Sequence, residues 1–220
     1  MSLNPSIRKV VPASPPTATA SYDYYDIAEG TGIKNFYAAQ ALSSGALTDY
    51  YLTTDATDYS GRTSCKMIPA GAGYTTDDNY EVTFNLPKII KGRVRASVLQ
   101  GLAAAGAGQF VFLIMKLYKV SGGTATQLGD EVVTNPVTST ASTTTFSREN
   151  VVFNVTERTH FKKGDILRLN IKVYASNLVS TGYGTDPAGR DDVATVSGGI
   201  IATAGNSTQL KVGVPFIIDI

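Results

Sequence analysis

The chain has 220 residues, of which 43% are apolar and 17% are charged, and its formal net charge at pH 7 is +1. This length suits one large β domain, or a domain with an appendage, and the apolar share is sufficient for a core. The balance of charges argues against a nucleic-acid-binding domain, and no apolar run is long enough to span a bilayer.

Residues 1–21 are predicted to form an extended N-terminal arm. Pro12, Pro15 and Pro16 lie there among Ala, Ser and Thr residues, a composition that favours extended backbone. The segment has no apolar periodicity, so its backbone polar groups need water or another chain. We therefore expect the arm to lie on a neighbouring subunit or on another protein of the same assembly.

Residues 22–79 form a tyrosine-rich segment of strands and loops, with strands predicted at 34–42, 46–54 and 62–68. Tyrosine is enriched at protein interfaces because it combines a large contact area with a polar tip. It also stacks on sugars, and it is common in ordinary strands. The interface interpretation selects Tyr22, Tyr24, Tyr25, Tyr50 and Tyr51.

Residues 80–220 are predicted to form a β-sandwich body. In residues 166–174 Leu167, Leu169, Ile171 and Val173 alternate with polar residues, and this period of two predicts a half-buried strand with Arg168 and Lys172 exposed. Ser-Gly-Gly-Thr at 121–124 predicts a hairpin turn. Further strands are predicted at 81–86, 89–99, 110–120, 124–133, 151–155, 193–202 and 210–220, with a long polar loop at 177–192.

Eight to ten strands without a helix predict an all-β fold, specifically an antiparallel, jelly-roll-like β-sandwich of two sheets. An immunoglobulin-like sandwich is the alternative, although the Cys…Trp…Cys pattern is absent. Residues 22–220 can also be a single domain.

Reactive side chains are scarce. His160 is the only histidine and Cys65 the only cysteine, so a nucleophile–histidine pair would have to use His160 and no disulfide can form within the chain. Nothing marks two carboxylates as a catalytic pair, while the aspartates at 55–58 and 77–78 could be calcium ligands or solvated loop residues. We predict no catalytic residue, no cofactor and no metal site.

Lys91, Arg93 and Arg95 project from one face of a single predicted strand. Like charges side by side cost stability, so the stripe either faces solvent or meets an acidic neighbour. The second interpretation adds Arg93 and Arg95 to the predicted interface.

Residues 79–87 (NYEVTFNLP), 117–124 (LYKVSGGT) and 161–169 (FKKGDILRL) resemble β-sandwich modules of tailed-phage virion proteins, which occur in head decoration or head-fibre proteins, collars and tails. The resemblance implies symmetric assembly and no active site. It predicts a non-enzymatic structural component of a virus particle, made in the host cytoplasm, with itself and other virion proteins as partners and a homo-oligomeric state. Nucleic acid and membrane are not expected partners. A glycan- or receptor-binding module is the alternative, and a β-sandwich hydrolase is a third.

Overall fold

The computed structural model describes residues 31–41, 49–56, 65–68, 73–142, 144–176, 180–185, 195–196, 199–200 and 209–217. The predicted arm and Tyr22, Tyr24 and Tyr25 lie outside these residues. Within them the chain is all-β and has no helix, which confirms the predicted fold class at that level. A helix suited to crossing a membrane is likewise not found in these ranges.

The described residues form fifteen strands, several of them longer than expected. They are β1 (Thr31–Ala41), β2 (Asp49–Thr53), β3 (Cys65–Ile68), β4 (Gly73–Thr83), β5 (Lys88–Ala103), β6 (Phe110–Ser121), β7 (Thr124–Gln127), β8 (Val132–Val133), β9 (Val137–Thr138), β10 (Thr144–Phe161), β11 (Ile166–Ala175), β12 (Ser180–Gly184), β13 (Thr195–Val196), β14 (Gly199–Ile200) and β15 (Lys211–Ile217).

Thirteen of these strands join in one sheet, in the order β3-β12-β5-β15-β1-β2-β4-β11-β6-β7, with β10 also paired to β5 and β8 and β9 to β6. All described pairs in it are antiparallel except β2 with β4, which is parallel and has one paired position, Tyr51 with Glu81. The sheet is therefore mixed, against the purely antiparallel prediction. The reason is that β3 lies at the far edge of the sheet, so the chain crosses over between β2 and β4.

Described strands from both sides of residue 79 belong to this one sheet, while β13 and β14 pair only with each other. β4 runs through that position, while β1 and β2 lie between β15 and β4. From residue 31 onward, the tyrosine-rich segment and the body share a core.

The sheet curls around that core. Four strands separate β12 from β4 in sheet order, yet the hydroxyl of Tyr183 donates to Asp78 Oδ2 at 2.6 Å. Towards the other end of the core, Phe84 meets the rings of Phe161 and Phe216 edge-on, with centroids 5.1 and 5.9 Å away. Side chains from both parts of the sheet thus fill one interior.

The alternation predicted for β11 is confirmed, and Leu167, Leu169, Ile171 and Val173 are all fully buried. Arg168 and Lys172 point outward as predicted but are half-buried rather than exposed. The reason is pairing with β4, because Arg168 lies 2.6 Å from Glu81 and Lys172 lies 3.1 Å from Asp77.

Two segments predicted as loops contain strands. Asp77 and Asn79 lie in β4, where both accept a hydrogen bond from the Asn170 side chain. The polar stretch at 177–192 contains β12, whose Thr181 and Tyr183 are buried. Local composition missed both strands because polar cross-strand partners, rather than apolar contacts alone, place them.

The turn between β10 and β11 is held by Asp165. Its carboxylate accepts hydrogen bonds from the Lys162 backbone N–H at 2.8 Å and the Ser121 hydroxyl at 2.7 Å, and Lys119 Nζ lies 3.1 Å away. These contacts, the backbone hydrogen bond first, lower the pKa of Asp165 to about 2. The charged form therefore stabilises the turn.

This carboxylate is expected to contribute to acid sensitivity. The pKa of Asp165 in the folded chain lies below the unfolded value of about 3.9. The contribution of this carboxylate to the free energy of unfolding is therefore complete above pH 4 or so, and it is lost as pH falls from about 4 to about 2. Asp165→Asn should therefore be less stable than wild type near neutral pH and should lose less stability across that window. Denaturant unfolding of both proteins at several pH values measures this. Parallel curves for the two proteins would contradict the assignment.

Candidate interaction surface

A groove of about 410 Å³ crosses the outer face of β1, β15, β5 and β10. The strand register explains its shape, because Asn35 pairs with Gly213, Gly213 with Arg95, and Arg95 with Val152. Four consecutive strands therefore each place one residue in a row across the floor. The neighbouring row carries Lys211, which pairs with Ser97.

Gly213 keeps the middle of this groove open. A Cβ built there would lie 3.4 Å from Asn35 Oδ1 and 3.6 Å from Ile33 Cγ2, which is ordinary contact distance. A larger side chain would thus fit the backbone but occupy the space above the floor.

The groove combines apolar contact area with positive charge. Ile33 and Val152 are 59% and 39% exposed, which is unusual for large aliphatic residues in this structure. Arg93, Arg95 and Lys211 line the same space, and no ion pair involves them in the described part of the chain. The described lining includes no carboxylate. Such a surface suits an extended partner with both acidic and apolar side chains.

The predicted interface residues separate into different places. Arg93 and Arg95 lie in the groove, and Lys91 is exposed on the same strand. Tyr50 and Tyr51 are half-buried, because β2 lies inside the sheet. The Tyr50 ring meets Tyr80 edge-on at 5.2 Å, and the Tyr51 hydroxyl oxygen is buried.

Sequence reasoning missed Ile33, Val152, Lys211 and Gly213. A signal was present for two of them, because Ile33 and Val152 occupy outward positions on strands whose other outward residues are mostly polar. The assembly of all four beside Arg93 and Arg95 depends on strand pairings between distant parts of the chain.

The side chains considered for chemistry do not form a catalytic arrangement in the described residues. His160 is exposed beside a second groove of about 700 Å³, and Ser121 donates to Asp165 rather than to the imidazole. The backbone N–H of Asp55 donates a hydrogen bond to the Thr53 hydroxyl oxygen at 3.1 Å. A group of three or more potential metal ligands is not found in the described ranges. Cys65 lies in β3, but its side chain is outside the description.

A buried polar network connects the two sides of the core. The Gln40 amide donates to the Tyr80 hydroxyl at 3.3 Å, Tyr80 donates to the Tyr183 hydroxyl at 3.1 Å, and Tyr183 donates to Asp78. Burial raises the pKa of Tyr80 and of Tyr183 well above the ordinary value, so both stay protonated donors. The network is closed to solvent, and its evident effect is to fix how β12 packs on β4.

Three aromatic rings lie together on the outer face of β6 and β11. Phe112 and Tyr174 stack with centroids 4.9 Å apart, and Phe110 is 6.2 Å from Tyr174. All three are half-buried. This is the described surface that the alternative, glycan binding, would use.

No protein-family model and no curated protein sequence matches the chain. Among solved structures, a CocE/NonD family hydrolase from Staphylococcus aureus matches with 11% identity and a TM-score of 0.43, over 84% of this chain and 37% of that one. An aminopeptidase from a marine sediment archaeon matches with 10% identity and a TM-score of 0.40, over the same shares of both chains. A chain of infectious bursal disease virus, strain Gx, matches with 11% identity and a TM-score of 0.27, over 80% of this chain and 44% of that one.

The prediction that the protein is not an enzyme is contradicted, since hydrolases are among the matched structures. The chain spans about 37% of the length of those first hydrolases. Their activities are properties of those proteins.

Proposed function

We propose that this protein is a structural component of a virus particle, of the tailed-phage kind, and that it assembles with copies of itself through the groove between β1, β15, β5 and β10. One observation carries the proposal. Arg93, Arg95 and Lys211 are unpaired in the described residues and lie beside exposed Ile33 and Val152 in one concave surface.

The physical argument is that this surface is costly without a partner. Adjacent like charges repel, and exposed aliphatic side chains forgo burial that would contribute about 25 cal/mol per Å². An acidic, partly apolar partner removes both costs at once. The resemblance of three segments to virion modules indicates assembly in a virus particle. It is also the basis for the finer architecture that we propose, which is a jelly-roll-like sandwich with an extended N-terminal arm.

Two variants of the groove test the proposal by different means. Arg93→Glu/Arg95→Glu reverses the charge, and Gly213→Val fills the floor without changing charge. We expect each to weaken self-association, by about 100-fold for the charge reversal and about tenfold for the filled groove, as measured by sedimentation velocity over a range of concentrations. Association of the wild type should also weaken as salt is raised.

The matched control is Lys162→Glu/Lys163→Glu, which reverses two exposed charges outside the groove and should associate like the wild type. Thermal melting of all variants reports that they are folded. A wild type that stays monomeric, or groove variants that associate normally, would overturn the proposal. Genes for capsid, portal or tail proteins are expected beside the gene for this chain.

A further inference from the structure

We infer that the groove binds residues 22–29 of a second copy of this chain. The inference rests on the proposed function and names the partner segment. Its sequence, YDYYDIAE, has three carboxylates, three tyrosines and no cation within eight residues. The groove has the opposite character, with three cations and exposed aliphatic side chains.

The charged and apolar groups of the segment each have a matching group in the groove. Asp23, Asp26 and Glu29 can each form a charge-assisted hydrogen bond with an Arg or Lys of the groove. Tyrosine rings and Ile27 can cover Ile33 and Val152, the two exposed aliphatic residues. Tyrosine also stacks against guanidinium planes, which suits Arg93 and Arg95.

The spacing of the carboxylates fits an extended ligand. In a polyproline-type chain with three residues per turn, Asp23, Asp26 and Glu29 would lie on one face, about 9 Å apart in succession. Arg93 and Arg95 are two residues apart on β5, about 7 Å, and Lys211 is displaced further along the neighbouring strand β15. Long Arg and Lys side chains span the remaining difference.

Residues 22–29 of a second copy can reach the groove more easily than the same residues of the chain that carries it. Only Gly30 separates Glu29 from Thr31, where β1 begins, and the groove lies on the outer face of β1 itself. A segment folded back over its own strand would have to rise by about 10 Å, the distance between packed layers, which takes about three residues. That path would use up residues 28–30 and remove Glu29 from the contact. The segment of a neighbour meets no such restriction.

Charge exchange between the two surfaces in the full-length chain tests the inference. The groove variant is Arg93→Glu/Arg95→Glu, the segment variant is Asp23→Lys/Asp26→Lys, and the combined variant carries all four changes. Asp130→Lys/Glu131→Lys, at exposed positions between β7 and β8, is the matched control for the segment. Sedimentation velocity is measured for each protein alone and for an equimolar mixture of the groove and segment variants.

We expect the groove and segment variants each to self-associate about 100-fold more weakly, the combined variant to recover to within about tenfold of wild type, and the mixture to form pairs. Pairs form because the mixture retains one unchanged groove and one unchanged segment on different chains. The control should match the wild type.

The outcomes separate the two proposals. If the groove variant dissociates while the segment variant associates normally, the segment is not the partner and the inference is overturned, but the proposed function stands. If neither variant changes association, both are overturned. If the combined variant recovers while the mixture stays monomeric, the segment binds its own chain, which overturns binding in a second copy.

Discussion

Leu169→Ala is expected to lower the free energy of unfolding by about 2–5 kcal/mol. Leu169 is fully buried in the middle of β11, where it pairs with Tyr80 of β4 and Leu117 of β6, both also fully buried. Truncation removes three carbon atoms from a position with packed strands on both sides, so the cavity has little freedom to collapse. Urea unfolding followed by circular dichroism measures the loss.

Arg168→Ala, one residue earlier, is the matched control. The side chain lies on the other face of β11 and pairs with Glu81 at partial exposure, so its loss should cost no more than about 1 kcal/mol. If the two substitutions cost the same, the register of β11 assigned here is wrong, because a slip of one residue exchanges the two faces.

Tyr183→Ala is expected to cost about 3–5 kcal/mol, the range for a buried aromatic residue. Its side chain is fully buried, contacts the ring of Tyr80 edge-on and donates to Asp78 across the core. Tyr183→Phe keeps the ring and removes only the donor, which leaves the buried Asp78 carboxyl without this hydrogen bond. That change should cost about 1–3 kcal/mol.

Tyr118→Phe provides the comparison, because Tyr118 is half-buried on the outer face of β6 and should tolerate loss of its hydroxyl within about 0.5 kcal/mol. Equal effects of the two phenylalanine substitutions in thermal or chemical unfolding would show that the network does not hold β12 to β4.

Strands with apolar alternation could be predicted from the sequence, and β11 is the clearest case. The hairpin of β6 and β7 could also be predicted from the sequence. Its two-residue turn requires positive φ, which glycine adopts readily, and Gly122 and Gly123 both have positive φ. β12 could not be predicted, because its segment consists of small and polar residues. Tyr183 in this strand is buried through contacts with Asp78 and Tyr80, about 100 residues earlier. Periodicity within a strand does not contain that information.

The candidate site divides in the same way. Arg93 and Arg95 share a face by local geometry alone, so the sequence was sufficient to select them. Tyr50 was selected by composition, yet it contacts the core residue Tyr80, because composition does not distinguish the two faces of an inner strand. The groove itself follows from the pairing of four strands that come from separate parts of the chain.

The pairing of β1 with β15 has a consequence for biosynthesis. Thr31 lies opposite Ile217, so the earliest described strand of the sheet pairs with the latest described one. At about 5–20 residues per second, β1 waits on the order of ten to thirty seconds for that partner. During this interval the apolar residues of β1, Phe36 among them, are exposed to association with other nascent chains. Closure of the sheet therefore waits for the synthesis of β15, and a chaperone that holds β1 early should raise the yield of folded protein.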